Sequence, residues 1–302
     1  MKYLITLRYL KCTVVTWANV GIAADSPMAG GPEGPAMSVV ADLHVHTTVS
    51  DGRLTIPQAV AAAKAAGISV IAITDHDRLH PALQTPVSTR AGVTIIHGIE
   101  LRVETAAGIR VDLLGYGAER TAGLLDMLEG VQADRLDRAA DMIAAIADHE
   151  SIDLDVPLRP GIGRPHIAAA VAAHPETSLS YQDVFDRLIG EGKPCYVRRS
   201  IPGFEDGLAA LRSACRVVGL AHPFRYSDPD AALELAASLD AIERWYPYRS
   251  AVDSAHLGAA IERHSLLETG GSDSHDETVG RCGVPAGRFG PLRKSLLDAG
   301  QS

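Results

Sequence analysis

Hydrophobic positions along the chain form seven short runs, and the stretches between most of them have helical spacing. The runs are Val39–His44, Ile68–Thr74, Val93–Ile99, Ile109–Tyr116, Arg216–Ala221, Asp240–Tyr246 and Leu266–Gly270. Between the first two, LTIPQAVAAAKAAG predicts a helix with Thr55 as N-cap, Pro57 in the first turn and Gly67 at its end. Alternating strands and helices are typical of α/β proteins with a parallel sheet.

This alternation stops between residues 121 and 214. Apolar residues recur at three- and four-residue spacing from Leu124 to Ile146, which predicts a long helix or a helix pair. RPHIAAAVAAH and YQDVFDRLIG predict two further helices, the second ending at Gly190. We interpret residues 121–214 as a helical insertion between the fourth and fifth strands, which divides the strand-containing part into residues 37–120 and 215–302.

The first 36 residues have a different character from the rest of the chain. Positive charges are scattered around a short apolar patch, and GGPEGPAM then has the composition of a linker. We expect residues 1–36 to be a disordered extension or the product of a mis-assigned start. A weak export signal is the alternative, although a clean apolar segment and cleavage site are missing from the sequence.

Composition limits the kinds of partner. The formal net charge is −9, which argues against a broad basic surface that follows long nucleic acid but leaves room for a small cationic pocket. No apolar run reaches the roughly 18 residues of a membrane span. The four cysteines lack metal-ligand spacing, so we expect reduced thiols in a cytoplasmic protein without a membrane partner.

Histidines and carboxylates are concentrated where the predicted strands end. They are His44, His46, Asp51, Asp75, His76, Asp77, His97, Glu100, Asp112, His222, Glu243, Asp273 and His275. In α/β proteins the carboxyl ends of the strands carry the reactive groups. Each residue alone has an ordinary explanation, but their coincidence predicts a metal site, because imidazoles and carboxylates without thiolates suit Mn²⁺, Fe²⁺ or Zn²⁺. About eight ligands are too many for one ion and fit two or three.

The motifs in this order resemble those of the PHP (polymerase and histidinol phosphatase) superfamily. They are DLHVHTTVSDG, ITDHD, HGIE, LAHPFRY and TGGSDSH. GRPHIA at residues 163–168 and GKPCYV at residues 192–197 resemble the branch that acts on nucleotides. The resemblance implies a distorted (β/α)7 barrel and a trinuclear metal centre, most often with Mn²⁺, while Zn²⁺, Fe²⁺ and Mg²⁺ are alternatives. The implied metal ligands are His44, His46, Asp51, His76, Glu100, Asp112, His222, Asp273 and His275.

One ligand departs from the resemblance. Relatives often have histidine where this chain has Asp112, in DLLGY, so the third metal site has an altered preference or is empty. Among the neighbours, we interpret His97 as a hydrogen-bonded strand histidine and Asp75 as a group that orients His76. For Glu243, metal ligation and support of a ligand remain equal alternatives.

The resemblance implies a metal-dependent phosphoesterase that takes a small phosphorylated substrate. In this mechanism a metal-bridging hydroxide attacks phosphorus, and His222 is a candidate proton donor to the leaving oxygen. We predict that Arg164, His166 and Arg225 bind phosphate. For Lys193, Arg198 and Arg199, phosphate binding and a solvated surface charge remain alternatives.

The substrate predicted first is a nucleoside 3′,5′-bisphosphate that loses its 3′-phosphate. A 5′-3′ exoribonuclease that acts on short RNA, a histidinol-phosphate phosphatase and an inactive PHP structural module are the alternatives.

Overall fold

Nine strands form one sheet that nearly closes into a barrel. The structure is a computed structural model that describes residues 38–298, and the extension predicted for residues 1–36 lies outside that range. The strands are β1 (Val39–Val45), β2 (Val70–Ile73), β3 (Val87–Arg90), β4 (Val93–Glu104), β5 (Arg110–Tyr116), β6 (Val217–Leu220), β7 (Ala241–Trp245), β8 (Leu267–Gly270) and β9 (Val284–Pro285). All seven predicted runs are strands. Strands β3 and β9 were not predicted, because one is polar and half-exposed and the other has only two residues.

The strand order explains how the barrel closes. It runs β8-β7-β6-β5-β4-β2-β1-β9, with β3 paired to β4 beside this path. The chain just after β8 then returns alongside the end of β1, where Val45 bridges Ser274 and the backbone N–H of His46 donates to the Ser274 carbonyl at 3.0 Å. The predicted barrel-like α/β fold is therefore confirmed.

The direction of β5 differs from the prediction of a parallel sheet. Strand β5 runs antiparallel to both β4 and β6. A short turn with Gly108 at φ +80° joins β4 to β5, and so short a connection permits only an antiparallel pair. As a result Asp112, close to the start of β5, lies at the end of the barrel where the parallel strands have their carboxyl ends.

Eight α-helices surround or cap this sheet in the described part of the chain. They are α1 (Ile56–Ala65), α2 (Ala122–Glu150), α3 (Arg164–Ala173), α4 (Tyr181–Val184), α5 (Phe204–Ala214), α6 (Pro229–Leu235), α7 (Ser254–His264) and α8 (Phe289–Leu296). Helix α1 begins after Thr55, as predicted, and Gly67 follows its end with φ +73°. Between residues 38 and 298, no helix combines the length and apolar character needed to cross a membrane.

The segment between β5 and β6 has an apolar core of its own. Helix α2 is one helix of 29 residues rather than a pair, and α4 continues as a π-helical turn, Phe185–Ile189, before Gly190. Met142 and Ile146 from α2 pack with Ile167 and Val171 from α3, and Leu188 of the π turn joins them. This helical layer is stabilised by internal packing. It reaches the barrel through Leu124 and Leu128 of α2, which pack in the apolar cluster of β4 and β5, and through the polar contacts described below.

Strand β1 shows how the sheet orients the histidines. Leu43 and Val45 belong to apolar clusters, whereas Asp42, His44 and His46 alternate with them. All five side chains are fully buried. His44 and His46, two residues apart, share the interior face of the barrel, whereas the register with β2 shifts between Asp42 and Val45, so the alternation does not extend to Asp42.

Candidate active site

The structure brings all nine predicted ligands together in three groups that share members. The first group is His44, His46, Glu100 and Asp273; the second is His46, Asp51, His76 and His275; the third is Glu100, Asp112 and His222. Within each group, one ligand atom from every residue lies within 4.8 Å of the others. The strand ends therefore meet as the barrel fold requires, while metal ligation itself remains a prediction.

The first group forms a compact cage. Nε2 of His44 lies 3.5 Å from Oε2 of Glu100 and 3.4 Å from Oδ1 of Asp273. Nε2 of His46 lies 3.4 Å and 3.2 Å from the same two oxygens. None of these four buried atoms makes a well-directed hydrogen bond within residues 38–298, although Nδ1 of His76 lies 2.7 Å from Oε2 of Glu100.

Both the spacing and the burial of these atoms fit a divalent cation. A buried polar atom without a partner costs about 1–3 kcal/mol, so four at one point need a common partner. Tetrahedral ligands bound at about 2.1 Å lie about 3.4 Å apart, which is the spacing observed. The donor set of two imidazoles and two carboxylates suits Mn²⁺, Fe²⁺ or Zn²⁺.

The second group lies on the open side of the cluster. Oδ1 of Asp51 is 3.4 Å from Nε2 of His275, and Oδ2 is 3.8 Å from Nε2 of His76. The other ring nitrogen of His76, Nδ1, lies 2.7 Å from Oε2 of Glu100 and so links this group to the first. The side chains of His76 and His275 are 25% and 37% exposed. An ion held here would have a face open to substrate.

Electrostatics separate the two histidines of β1. Burial lowers the pKa of His46 to about 4, and the neighbouring His275 and His76 act in the same direction. Burial would also lower the pKa of His44, but Glu243 and Asp273 outweigh it and hold that pKa well above the usual range. His46 is thus neutral at pH 7, which is the form of imidazole that binds metals.

Glu243 supports His44 from behind rather than joining the cage. Its Oε1 lies 3.1 Å from Nδ1 of His44, the ring nitrogen opposite the one that faces the cage. Its Oε2 accepts from the backbone N–H of His222 at 2.8 Å. A carboxylate in this position fixes the ring orientation and increases the basicity of the nitrogen that binds metal. Of the two predicted alternatives for Glu243, the geometry favours support.

Asp75 does not orient His76, so that prediction was wrong. Its carboxylate accepts from the backbone N–H and hydroxyl of Thr47, both at 2.8 Å, and from the hydroxyl of Ser50 at 2.7 Å. It therefore holds the loop that carries Asp51. The reason is geometric, since the turn after β2 sends neighbouring side chains in different directions.

Asp42 has the same function on the other side of the cluster, and sequence reasoning missed it. It accepts from the backbone N–H and hydroxyl of Ser272, at 2.9 and 2.6 Å, and from the N–H of Gly280 at 2.7 Å. These bonds fix the loop that carries Asp273 and His275. The alternation of β1 gave no signal for this role, because its register with β2 shifts between Asp42 and Val45.

His97 stays outside the cluster. The side chain is buried, and neither ring nitrogen has a hydrogen-bond partner among the described residues, so the prediction of a hydrogen-bonded histidine was wrong. Burial, followed by the charge of Arg120, lowers its pKa to about 4. His97 is therefore a neutral core residue.

The backbone is strained at three points of the cluster. Asp77, His222 and Asp273 have positive φ angles of 51°, 26° and 48°. Such angles are uncommon outside glycine and persist where the surroundings fix them, as at functional sites. Close by, a Cβ on Gly271 would lie 2.3 Å from Cβ of His44, so only glycine allows the loop to approach β1.

The three predicted phosphate-binding residues line one large cleft over the cluster. The cleft has a volume of about 1650 Å³ and includes His76, His222 and His275 in its wall. Arg164 is half-buried and lies 5.7 Å from the Phe185 ring. His166 lies 3.3 Å from Arg159 through Nε2, and Arg225 donates to Asp273 and Tyr246, both at 2.9 Å. Their role in binding phosphate remains a prediction.

Arginine dominates the wall of this cleft. Eleven arginines line it, namely Arg53, Arg102, Arg110, Arg135, Arg138, Arg159, Arg164, Arg199, Arg225, Arg249 and Arg281. The whole chain, by contrast, has a net charge of −9. The positive charge is therefore concentrated at the one place where the metal-ligand candidates are exposed.

Asp77 joins the barrel to the helical layer. Its buried carboxylate pairs with Arg135 of α2 and, at 2.9 Å, with Arg199. The side chains of Arg135 and Arg199 are only 12% and 11% exposed. Of the two alternatives for Arg199, a solvated surface charge does not fit, because the carboxylate of Asp77 holds the guanidinium inside.

Comparisons with known proteins agree with this geometry. Residues 42–190 match the model of the PHP domain. The phosphoribosyl 1,2-cyclic phosphate 1,2-diphosphodiesterase of Eggerthella lenta is 29% identical over 253 residues, which cover 78% of this chain and 94% of the relative. The 3′,5′-nucleoside bisphosphate phosphatase of Chromobacterium violaceum is 28% identical over 253 residues, which cover 78% of this chain and 86% of the relative.

A solved structure extends the similarity to the fold. The crystal structure of a protein from Bifidobacterium adolescentis, assigned as a metal-dependent phosphoesterase, superposes with a TM-score of 0.68 and 25% identity. The match covers 87% of this chain and 97% of that protein, so it includes the barrel and the helical layer. The motifs, the domain match and the fold agree, so the chain contains a PHP domain over residues 42–190.

Proposed function

We propose that this protein is a metal-dependent phosphoesterase that removes one phosphate from a small nucleotide with two phosphate groups, a nucleoside 3′,5′-bisphosphate. The observation that carries the proposal is the cage of four buried, unpartnered atoms at the base of an arginine-lined cleft. Phosphoric ester hydrolysis is the activity named for both curated relatives. The Chromobacterium relative is named for the nucleotide substrate itself.

The first two groups of the cluster would hold the ions, with Mn²⁺ as the proposed metal. Divalent ions bound there would polarise the phosphoryl group and make a water molecule acidic enough to attack phosphorus. His44, His46, Glu100 and Asp273 would hold one ion, and Asp51, His76 and His275 the other. The attacking group is water, so hydrolysis needs no covalent intermediate on a serine or cysteine.

The chain's own side chains bind and orient the phosphate. Arg225 is 53% exposed, and Asp273 and Tyr246 fix one end of its guanidinium, so the remaining N–H groups face the cleft. Arg164 approaches from the helical layer and is proposed to bind the second phosphate. A guanidinium can donate to two phosphate oxygens at once, which explains why arginine rather than lysine lines the wall.

His222 is proposed to give a proton to the leaving oxygen. Its Nε2 lies 3.0 Å from Oε1 of Glu100, which would hold a proton on that nitrogen. The residue also lines the cleft, with a side chain that is 5% exposed. We place this activity in the cytoplasm, since Cys195, Cys215 and Cys282 are free thiols.

A second candidate function is the trimming of short RNA from its 5′ end. The cleft, at about 1650 Å³, is larger than the roughly 300–1,000 Å³ of a typical small-molecule site and has room for more than one nucleotide. Divalent ions held by the same ligands would supply the chemistry for cleaving a phosphodiester. The choice between the two functions therefore depends on how the cleft binds the part of the substrate beyond the reacting phosphate.

A substrate panel with one matched pair of variants tests the proposal. With Mn²⁺, we expect the highest kcat/KM for a nucleoside 3′,5′-bisphosphate, compared with 5′-phosphorylated short RNA, a ribosyl cyclic phosphate and histidinol phosphate. Arg164→Ala should raise KM for the bisphosphate about 10- to 100-fold, because a hydrogen bond to a charged group contributes about 1.5–3 kcal/mol. Arg187→Ala, on the exposed side of the same layer, is the control and should leave KM unchanged.

The outcomes separate the candidates. Preference for short RNA would favour the exoribonuclease. No hydrolysis of any phosphoester with any divalent metal would contradict the proposal and favour a structural module.

A further inference from the structure

The third group of the cluster differs from the first in that its acceptor atoms have partners. Both oxygens of Asp112 accept from the guanidinium of Arg102, with Nε 2.6 Å from Oδ1 and Nη2 in contact with Oδ2. Oε1 of Glu100 lies 3.0 Å from Nε2 of His222. In the first group, by contrast, the four converging atoms are unpartnered within the described chain.

The sheet fixes both ends of the Arg102–Asp112 pair. The two residues are directly opposite each other in the antiparallel β4–β5 ladder. The backbone N–H of Arg102 donates to Oδ1 of Asp77 at 3.0 Å, and that of Asp112 donates to the hydroxyl of Tyr226 at 2.8 Å. The pair is therefore set by register and backbone hydrogen bonds, as cross-strand pairs are, and not by the reach of a free surface side chain.

An additional ion at the third group would compete with the guanidinium of Arg102 for Asp112. Arginine keeps its charge at every pH at which proteins fold. A divalent ion at Asp112 would have to displace the guanidinium and would then lie beside a like charge. Where the resemblance implies a histidine and a metal, this chain has a carboxylate and a guanidinium.

We propose that the protein holds two divalent ions and that the guanidinium of Arg102 takes the place of the third ion of a trinuclear centre. The side chain of Arg102 is 39% exposed and lines the cleft, so it also faces the oxygens of a bound phosphate. It supplies a permanent positive charge that does not depend on the metal supply. The inference rests on the proposed function in one respect, namely that ions occupy the first two groups.

The test is the number of Mn²⁺ ions per folded chain, measured by native mass spectrometry and elemental analysis after equilibration with Mn²⁺. We expect two ions in the natural protein and three in the Arg102→Gln/Asp112→His double variant, which restores the histidine. Arg110→Gln is the matched control, because Arg110 lies on β5 but pairs with Glu104 and Glu191 outside the cluster. It should retain two ions, and circular dichroism reports whether each variant folds.

The count distinguishes this inference from the proposed function. Three ions in the natural protein would overturn the inference, whether or not phosphate is hydrolysed. Two ions in both the natural protein and a folded double variant would overturn the assignment to Arg102. Two ions in the natural protein and three in the double variant, without hydrolysis of any phosphoester, would support the inference and contradict the proposed function.

Discussion

Replacement of Glu100 by glutamine should lower kcat/KM for a phosphoester by about 1,000-fold or more. Glu100 contributes to two of the three groups, and its Oε2 faces His44, His46 and His76 together. Glutamine has nearly the same shape, but its amide is a poor ligand for a divalent ion. Loss of a bound ion removes several kcal/mol of transition-state stabilisation, and each 1.4 kcal/mol corresponds to about tenfold in rate.

Steady-state kinetics with p-nitrophenyl phosphate and Mn²⁺ measure this effect. His97→Gln provides a control on the same strand, because His97 is buried but belongs to none of the three groups. We expect activity close to that of the natural protein for this variant, with equal far-ultraviolet circular dichroism for both. A Glu100→Gln protein that is folded and fully active would show that Glu100 holds no ion.

Replacement of Asp77 by asparagine should reduce the free energy of unfolding by about 3–5 kcal/mol. Burial alone would raise the pKa of Asp77, but the guanidiniums of Arg199 and Arg135 hold it well below its usual range, so the carboxylate is ionised. Removal of this charge leaves two nearly buried guanidiniums without a carboxylate, which is the costly way to break a buried ion pair. Asparagine also tolerates the positive φ of this position, so the backbone adds no penalty.

Urea unfolding monitored by tryptophan fluorescence measures the loss. Asp137→Asn is the matched control, because Asp137 lies on α2 near Arg135 but is exposed. We expect the control to change the free energy of unfolding by less than about 0.5 kcal/mol, as surface substitutions usually do. Equal stability of the two variants would mean that Asp77 does not couple the barrel to the helical layer.

The strands of this fold could be predicted because most are buried on both faces. An apolar run such as that of β2, Val70–Ile73, has no other explanation in a chain of this composition. Strand β3 escaped prediction because its residues are polar and half-exposed. The direction of β5 could not be found from apolar pattern alone, since the pattern is the same for either direction.

The candidate ligands could be predicted for a different reason. Histidines and carboxylates that follow strands meet when the strands share a barrel, so their convergence could be predicted from sequence position. The choice of nine ligands among the thirteen strand-end residues came from the resemblance, since His97, Asp75 and Asp77 also follow strands but lie outside the three groups. The supporting residues depend on contacts between distant segments. Arg102 lies on the face of Glu100 by the two-residue period, but only the register of β4 with β5 shows that it reaches Asp112. Arg135 and Arg199 likewise became interpretable only when the structure placed them beside Asp77.

Anomalous diffraction from crystals grown with Mn²⁺ tests the central claim most directly, since it locates the ions without reference to activity. We expect one strong peak enclosed by His44, His46, Glu100 and Asp273 and a second beside Asp51, His76 and His275. A chain that binds Mn²⁺ elsewhere, or shows no peak in the first group, would contradict the claim that these residues form the metal centre of a phosphoesterase.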